Sequence, residues 1–173
     1  MSAPSRPSSG LLITDLVADD LASALILNNA AVPALSELTA DELALLVNRA
    51  QYALAVRQDH RLVGFCITFL PGVDYPSPNY RWFETRFHSF SYLDRIVVHE
   101  SVRNRGAGTA MYAELERRIG SDLPWLLCEV NVRPHNGGSL RFHHRVGFVE
   151  VGQQNTSAGD KRVSLLAKRL TGA

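Results

Sequence analysis

The sequence lacks most of the features that mark specialised classes of protein. It contains only two cysteines in 173 residues, too few for a disulfide scaffold, and its formal net charge is just +1. No general positive field therefore draws it to nucleic acid or to an anionic membrane. Its apolar runs fall far short of the ~20 residues that cross a bilayer, and its first residues do not resemble a secretory signal. We expect a cytoplasmic protein without a membrane or nucleic-acid partner.

The features that are present are typical of one globular domain. Apolar residues make up 46% of the chain and charged residues 20%, and a chain of this length buries enough surface for a single core. Residues 1–10 include four serines and two prolines, a composition that predicts a flexible tail ahead of one domain spanning residues 11–173. Cys66 and Cys128 each stand in an apolar run, which indicates buried structural thiols.

Hydrophobic periodicity predicts the order of elements in the N-terminal half. A strand over Leu11–Leu16 precedes a helix that ends near Asn29, and a second helix follows the capping residue Thr39. The pattern then changes from helical spacing to alternation. Tyr52–Val56 and Leu62–Phe69 are therefore expected to form an antiparallel hairpin.

The next segment is rich in proline and then in aromatic and arginine side chains. Pro71–Tyr80 carries three prolines and is predicted to be a long loop. Two interpretations of Arg81–Phe90 stay open: it packs its rings on the core as a lid, or it presents a surface that holds a flat or anionic acceptor. The residues predicted to contact such an acceptor are Arg81, Trp82, Phe83 and Arg86.

A glycine-rich segment between a strand and a helix predicts an anion site. Tyr92–Val98 is predicted to be a strand, Arg103–Thr109 contains Gly106 and Gly108, and the helix that begins there is expected to end at Gly120. Glycines allow close approach to the backbone, and the free N–H groups and dipole of a helix start attract a phosphate. The spacing matches neither the P-loop nor the dinucleotide-binding fingerprint.

Two motifs resemble those of the GCN5-related N-acetyltransferase (GNAT) superfamily. Arg103-x-x-Gly106-x-Gly108 is similar to the [Q/R]-x-x-G-x-[G/A] segment that wraps the pyrophosphate of acetyl-CoA in this family. After the next predicted strand, the run from Asn136 to Phe148 resembles the family's N-x-x-[A/S]-x-x-[L/F]-Y-x-x-x-G-F helix and turn. Only the tyrosine position of the second motif differs.

The resemblance implies an α/β fold of the GNAT acyl-CoA N-acyltransferase type, with a mixed, mostly antiparallel central sheet and helices on both faces. It also implies acetyl-CoA as cosubstrate, with the thioester in a gap where the strands at Tyr92–Val98 and Leu126–Val132 splay apart. The residues that the resemblance assigns to the cosubstrate are Ile96, Val97, Val98, Arg103, Asn104, Arg105, Gly106, Ala107, Gly108, Thr109 and Asn136.

Acetyl transfer to an amine needs a group that accepts the proton of the amine. Asp94 and Glu129 are carboxylates in otherwise apolar strands, where burial is costly unless the group faces a cleft or is paired. Either one is a candidate catalytic base. The competing explanation is an ion pair, for example between Asp94 and Arg95.

His143 occupies the position where the family usually has the tyrosine that protonates the sulfur of coenzyme A. A histidine with a pKa of ~6.5 is mostly neutral at pH 7 and donates well only if a neighbouring carboxylate raises its pKa. Three interpretations stay open: His143 is the catalytic acid, it only hydrogen-bonds the sulfur or a water, or it is a packing residue. Tyr92 is an alternative proton donor.

These observations predict an enzyme that moves the acetyl group of acetyl-CoA to a primary amine of a small molecule, an amino acid or a peptide by direct attack. The main alternative is a non-catalytic module that binds acyl-CoA. The histidines show no zinc spacing, so no metal is expected. A homodimer is common among members of the family that the sequence resembles.

Overall fold

The computed structural model describes residues 10–156 and 160–170, so nine residues of the predicted tail lie outside it. Within these ranges the chain forms one seven-stranded sheet and five α-helices. The strands are β1 (Leu12–Asp15), β2 (Tyr52–Gln58), β3 (Arg61–Phe69), β4 (Ser91–Val98), β5 (Trp125–Arg133), β6 (Val149–Thr156) and β7 (Lys161–Arg169). The helices are α1 (Leu21–Asn29), α2 (Ala40–Arg49), α3 (Pro78–Glu84), α4 (Ala107–Ile119) and α5 (Gly137–Arg145).

The sheet is interrupted at its centre. Its strand order is β1-β2-β3-β4-β5-β7-β6, and every neighbouring pair is antiparallel except β4 and β5. These two parallel strands are paired only at Ser91 with Leu126 and at Tyr92 with Leu127. Beyond Tyr92 the ladder stops and the strands separate, which confirms the mixed, mostly antiparallel sheet and the expected splay.

Two hydrophobic cores cover the two faces of the sheet. Strand side chains alternate between faces, and Ala55 accordingly packs in one core while its neighbours Leu54 and Val56 pack in the other. Helices α1, α2 and α3 cover the first core, and α4 and α5 cover the second. The helices are therefore placed on both faces, as expected.

Local sequence signals explain the turns and caps that hold these elements in place. Asp59 and His60 join β2 to β3 and both have a positive φ, of 48° and 66°, as a tight two-residue hairpin turn requires. Thr39 begins α2 with a capping box, because its hydroxyl accepts from the Glu42 N–H while the Glu42 carboxylate accepts from the Thr39 N–H.

The predicted loop at residues 71–80 is shorter than expected. Its last residues begin α3: the Ser77 side chain accepts from the Tyr80 N–H at 3.3 Å, and Pro78 is the first helical residue. Proline is well tolerated there because the first helical N–H has no partner within the helix. The loop prediction was wrong at this end because it took Pro78 as a breaker rather than as a helix start.

Candidate active site

A cleft of about 1440 Å³ opens where β4 and β5 separate. Its walls come from the connection between α1 and α2, the residues just before and at the start of α3, the N-terminal end of α4, α5 and part of β7. Distant parts of the chain therefore meet at the interruption of the sheet. Both sequence motifs and both predicted carboxylates lie on this cleft.

The N-terminal end of α4 is built to bind an anion. Gly106 precedes the helix with a φ of +84°, a left-handed conformation that favours glycine, and it offers no side chain to cap the helix. The N–H groups of Ala107, Gly108 and Thr109 have no acceptor within the helix. Arg103 adds a positive charge on the same wall of the cleft. This end of α4 therefore suits a phosphate group.

Most of the residues that the resemblance assigns to the cosubstrate come together on the cleft. Arg105 is the exception, because it lines an adjoining recess near Leu11 rather than the cleft itself. Asn136 caps α5, its side-chain oxygen accepting from the Ser139 N–H at 3.2 Å. The cleft-lining residues of this set are Ile96, Val97, Val98, Arg103, Asn104, Gly106, Ala107, Gly108, Thr109 and Asn136.

Gly108 has a packing role beside its place in the anion-binding segment. A Cβ atom at this position would stand 2.9 Å from the ring of Phe142 on α5. The absence of a side chain therefore lets α5 approach α4 closely, which brings the two motif helices onto one side of the cleft.

Glu129 is the carboxylate with the environment of a catalytic base. The Tyr92 hydroxyl donates to its two oxygens at 2.9 and 2.8 Å, and the Asn79 amide donates to Oε1 at 3.0 Å. Burial, with the negative charge of Asp94 adding to its effect, raises the pKa of Glu129 to about 7, against the opposing influence of the two donors. A carboxylate with this pKa is partly ionised at neutral pH and able to take up a proton.

Asp94 is held in an ion pair. Arg95 Nε lies 2.6 Å from its Oδ2, both side chains are almost fully buried, and the Tyr75 hydroxyl donates to Oδ1 at 2.5 Å. Arg95 in turn donates to Asn28 Oδ1 at 2.7 Å. Asp94 thus matches the ion-pair explanation, while Glu129 has no cation partner among the ion pairs of the described residues.

His143 is packed in the protein with both ring nitrogens occupied. Its Nδ1 lies 2.7 Å from the Ser139 carbonyl oxygen, which can only accept, so Nδ1 carries the proton. Its Nε2 then accepts from the Tyr112 hydroxyl at 2.7 Å. Burial lowers the pKa of His143 below its usual value. The neutral ring has no proton free for the cleft, and this geometry favours the packing interpretation over the acid.

We expect His143→Phe to destabilise the protein while leaving the pH dependence of turnover unchanged. The substitution takes away the acceptor of the buried Tyr112 hydroxyl, which costs about 1–3 kcal/mol of unfolding free energy. Urea denaturation measures this cost, and the double variant Tyr112→Phe/His143→Phe is expected to recover part of it. Loss of the alkaline limb of the rate profile at unchanged stability would instead identify His143 as the acid.

The aromatic side chains of the segment Arg81–Phe90 pack against the rest of the protein, as one of its two interpretations predicts. Phe83 has no exposed surface, and the Trp82 ring fills the space where a Cβ of Gly152 would stand, 2.6 Å from the ring. Arg86 stacks on Trp82 at 3.9 Å, and Arg81 pairs with a glutamate of its own helix. The four residues predicted to contact the acceptor do not line the cleft: Arg81, Trp82, Phe83 and Arg86.

Three residues of the site were missed by sequence reasoning. Tyr75 and Asn79 lie in and just after the proline-rich loop, and each reaches a carboxylate of the cleft. Tyr112 lies on the buried face of α4 and holds His143. The Ser-Pro pair before Asn79 marks a helix start and thereby its place in α3, but no sequence signal indicates the carboxylate that it contacts.

Residues 10–156 and 160–170 hold neither a metal-binding cluster nor a helix that could span a membrane. No group of three or more His, Cys, Asp or Glu side chains stands together in a way that could hold a metal ion. In the same ranges, no helix combines the length and the apolar character needed to span a bilayer.

The fold and the cleft define an acyltransferase of the acyl-CoA type, with an anion-binding helix start facing an interrupted sheet. The family model described as "Acetyltransferase (GNAT) family" matches residues 21–148. The chain therefore belongs to the GNAT acetyltransferase family, which confirms the resemblance and classes it as an N-acetyltransferase. A search of curated protein sequences finds no match to it.

Several solved structures share this fold. NAA60 from Arabidopsis thaliana, solved with a bisubstrate analogue, superposes with a TM-score of 0.75 at 16% identity, over 95% of this chain and all of that one. The ribosomal-protein-S18-alanine N-acetyltransferase of Escherichia coli has a TM-score of 0.68 at 19% identity, over 95% and 96%. The yncA protein of Salmonella typhimurium, solved with acetyl-CoA, gives 0.70 at 18%, over 95% and 96%. At these identities the likeness shows the fold.

Proposed function

We propose that this protein transfers the acetyl group of acetyl-CoA to a primary amine of a small molecule, an amino acid or a peptide, by direct attack with Glu129 as general base. The observation that carries the proposal is a carboxylate with a pKa of about 7 on the same cleft as an uncapped, anion-binding helix end. The proton acceptor and the phosphate site thus line the same cleft.

The residues of the cleft fit acetyl-CoA. The N–H groups at the start of α4, together with Arg103, would hold the pyrophosphate. Ile96–Val98 lie beyond the last β4–β5 pair, so their backbone has an edge without a β5 partner that would pair with the amides of the pantetheine arm. When bound, the cosubstrate supplies an activated acetyl group as a thioester.

Glu129 supplies the proton chemistry on the acceptor side. Its carboxylate accepts a proton from the attacking amine, directly or through one water, as the new C–N bond forms and the C–S bond breaks. Coenzyme A leaves with the electron pair of that bond as the thiolate, which takes a proton from solvent to give the free thiol. Tyr92 and Asn79 hold the carboxylate oxygens in place throughout. A general base of this kind contributes about 10²–10⁴ in rate.

The state of the cysteines supports direct attack rather than an acyl-cysteine intermediate. Burial raises the pKa of Cys66 to about 12 and also raises the pKa of Cys128 well above its usual value. Only the thiolate is nucleophilic, so neither side chain is a competent acyl acceptor at neutral pH. The amine itself is then the attacking group.

The acceptor end of the cleft favours an amine with few other positive charges. The α1–α2 connection lines it with small and apolar residues, among them Ala30, Ala31 and Pro33. Of the two carboxylates there, Asp94 is already paired with Arg95. A polycationic acceptor would need several free carboxylates, so amino acids, peptides and simple amines fit this wall better than polyamines or aminoglycosides.

The proposal is tested by thiol release from acetyl-CoA between pH 6 and 9, with a panel of amino acids, short peptides, simple amines, polyamines and aminoglycosides. We expect turnover with one of the first three classes and rates that rise with pH through about 7, the pKa of Glu129. Acetyl-CoA binding without thiol release for any amine would overturn the enzymatic proposal and indicate a binding module.

A further inference from the structure

Two polar side chains near Glu129, Asp94 and Asn79, are assigned to neither cosubstrate nor acceptor. Asp94 projects from β4, the strand that faces Glu129 across the separation of the sheet, and Asn79 projects from the first turn of α3. One carries a negative charge, and the other donates a hydrogen bond directly to the carboxylate. Their influences on the proton affinity of Glu129 are therefore opposite in sign.

A hydrogen bond from Gln154 orients the side-chain amide of Asn79. Gln154 on β6 donates from Nε2 to Asn79 Oδ1 at 3.1 Å, which leaves Asn79 Nδ2 to donate to Glu129 Oε1 at 3.0 Å. Asn79 is buried, so a reversed Asn79 amide would set its NH2 group against the NH2 group of Gln154 and its oxygen against the carboxylate of Glu129. In this arrangement the Asn79 amide donates to Glu129, and a donor stabilises the ionised carboxylate.

The carboxylate of Asp94 is also held in place by hydrogen bonds. Tyr75 and Arg95 hold its two oxygens separately, and Arg95 extends away towards Asn28 at the end of α1. This arrangement holds the negative charge of Asp94 in one position beside the cleft. A fixed negative charge beside a second carboxylate disfavours ionisation of that second carboxylate.

We propose that Asp94 and Asn79 are positioning residues that set the pH range of the enzyme by acting in opposite directions on Glu129. The inference rests on the proposed function, in which Glu129 is the general base. The burial and charge effects that raise the pKa of Glu129 include Asp94, and the hydrogen bond of Asn79 opposes them.

The other titratable and charged groups around Glu129 do not provide this pair of opposing influences. Tyr92 donates to the carboxylate and its own pKa is raised by burial, so it stays protonated. Cys128 is likewise held as the thiol by burial. Arg95 and Tyr75 contact Asp94, and the positive charge of Arg95 also lowers the pKa of Glu129, in the same direction as the hydrogen bond of Asn79. On β7 the residue paired with Glu129 is the apolar Leu165.

The test is the pH profile of kcat with one saturating amine, so that the ionisation of the acceptor is the same for every variant. We expect Asp94→Asn to move the acid limb down by about one pH unit and Asn79→Ala to move it up by about half a unit or more. Gln154→Ala, which frees the amide of Asn79, is expected to give a smaller upward shift. A purely structural role would lower kcat without moving the limb in opposite directions.

The outcomes separate this inference from the proposed function. Glu129→Gln must remove the limb near pH 7 and leave only the ionisation of the amine, and if the limb near pH 7 persists, Glu129 is not the base and the function proposal fails at that step. If Glu129→Gln abolishes the limb while Asp94→Asn and Asn79→Ala leave it unmoved, only the present inference is overturned. Asp94→Asn leaves the buried Arg95 less compensated, so Asn79→Ala, which removes a neutral donor, is an independent test by the sign of its shift alone.

Discussion

Replacing Glu129 by glutamine is expected to lower kcat by at least 100-fold and to leave acetyl-CoA binding intact. The glutamine oxygen still accepts from Tyr92 and Asn79, so the shape of the cleft is kept while the proton acceptor is lost. Stopped thiol-release assays give kcat, and calorimetric titration gives the affinity for acetyl-CoA. Glu37→Gln makes the same chemical change at an exposed carboxylate outside the cleft and is expected to have no effect.

The same variant is expected to be more stable than the wild type, and only at higher pH. The pKa of Glu129 is about 7 in the folded protein and lies near 4.5 when the chain is unfolded. Between these values the folded protein binds the extra proton, so wild-type stability falls as pH rises through this window. Above pH 7 the folded protein bears the full cost of ionising Glu129, and Glu129→Gln does not.

Urea denaturation at pH 5 and pH 8 measures this difference. The stability gained by Glu129→Gln relative to the wild type is expected to be about 2 kcal/mol larger at pH 8 than at pH 5. Equal effects at the two pH values would mean that Glu129 titrates normally and would contradict the environment described for it. A lowered kcat with a pH-independent stability would then point to a steric cause.

A negative charge at Thr109 is expected to abolish acetyl-CoA binding without weakening the fold. Thr109 is exposed in the first turn of α4, where an aspartate interacts favourably with the helix dipole. The same charge stands where the pyrophosphate would bind and repels it. We expect Thr109→Asp to raise the Kd for acetyl-CoA by 100-fold or more, by an order-of-magnitude electrostatic argument, with a melting temperature equal to or above that of the wild type.

Thr109→Asn is the matched control, because asparagine has nearly the shape of aspartate and no charge. It is expected to bind acetyl-CoA within a few-fold of the wild type, by the same reasoning on charge. Calorimetric titration and thermal melts of the two variants separate electrostatic exclusion from steric blockage. If Asp and Asn reduce binding equally, or if Thr109→Asp binds normally, the anion site lies elsewhere.

The anion-binding segment was open to prediction from the sequence because it is a local structure. Gly106, Gly108 and the helix that follows are contiguous, and a positive φ at Gly106 followed by a helix start is a property of a few neighbouring residues. The hairpin turn at Asp59 and His60 and the cap at Thr39 were predictable for the same reason. The order of elements followed from periodicity.

The chemistry of the two carboxylates was not predictable in this way. Asp94 and Glu129 look alike in sequence, each a carboxylate in an apolar strand, and they differ only in their partners. The partner of Asp94 is its neighbour Arg95, whereas the donors to Glu129 come from Asn79 and Tyr92, 50 and 37 residues away. Only the folded sheet brings these groups together.

The environment of His143 was also not predictable from the sequence. Its position in the motif left three interpretations open, and a contact that favours packing comes from a residue 31 positions earlier, Tyr112. The segment at Arg81–Phe90 was ambiguous because aromatic and arginine side chains serve equally as a binding surface and as a packing layer. The space left by Gly152, which accommodates Trp82, favours packing.

The short contact between β4 and β5 divides the sheet into two halves that are each continuous along the chain. The first half ends at Val98 and the second begins at Trp125, with α4 connecting them. Backbone hydrogen bonds across the boundary are few, so the two halves are held together mainly by the two hydrophobic cores, each of which contains residues from both halves. A ligand that pairs with the open edge of β4 would add hydrogen bonds where the sheet lacks them, and because it binds only the folded chain it would raise the free energy of unfolding.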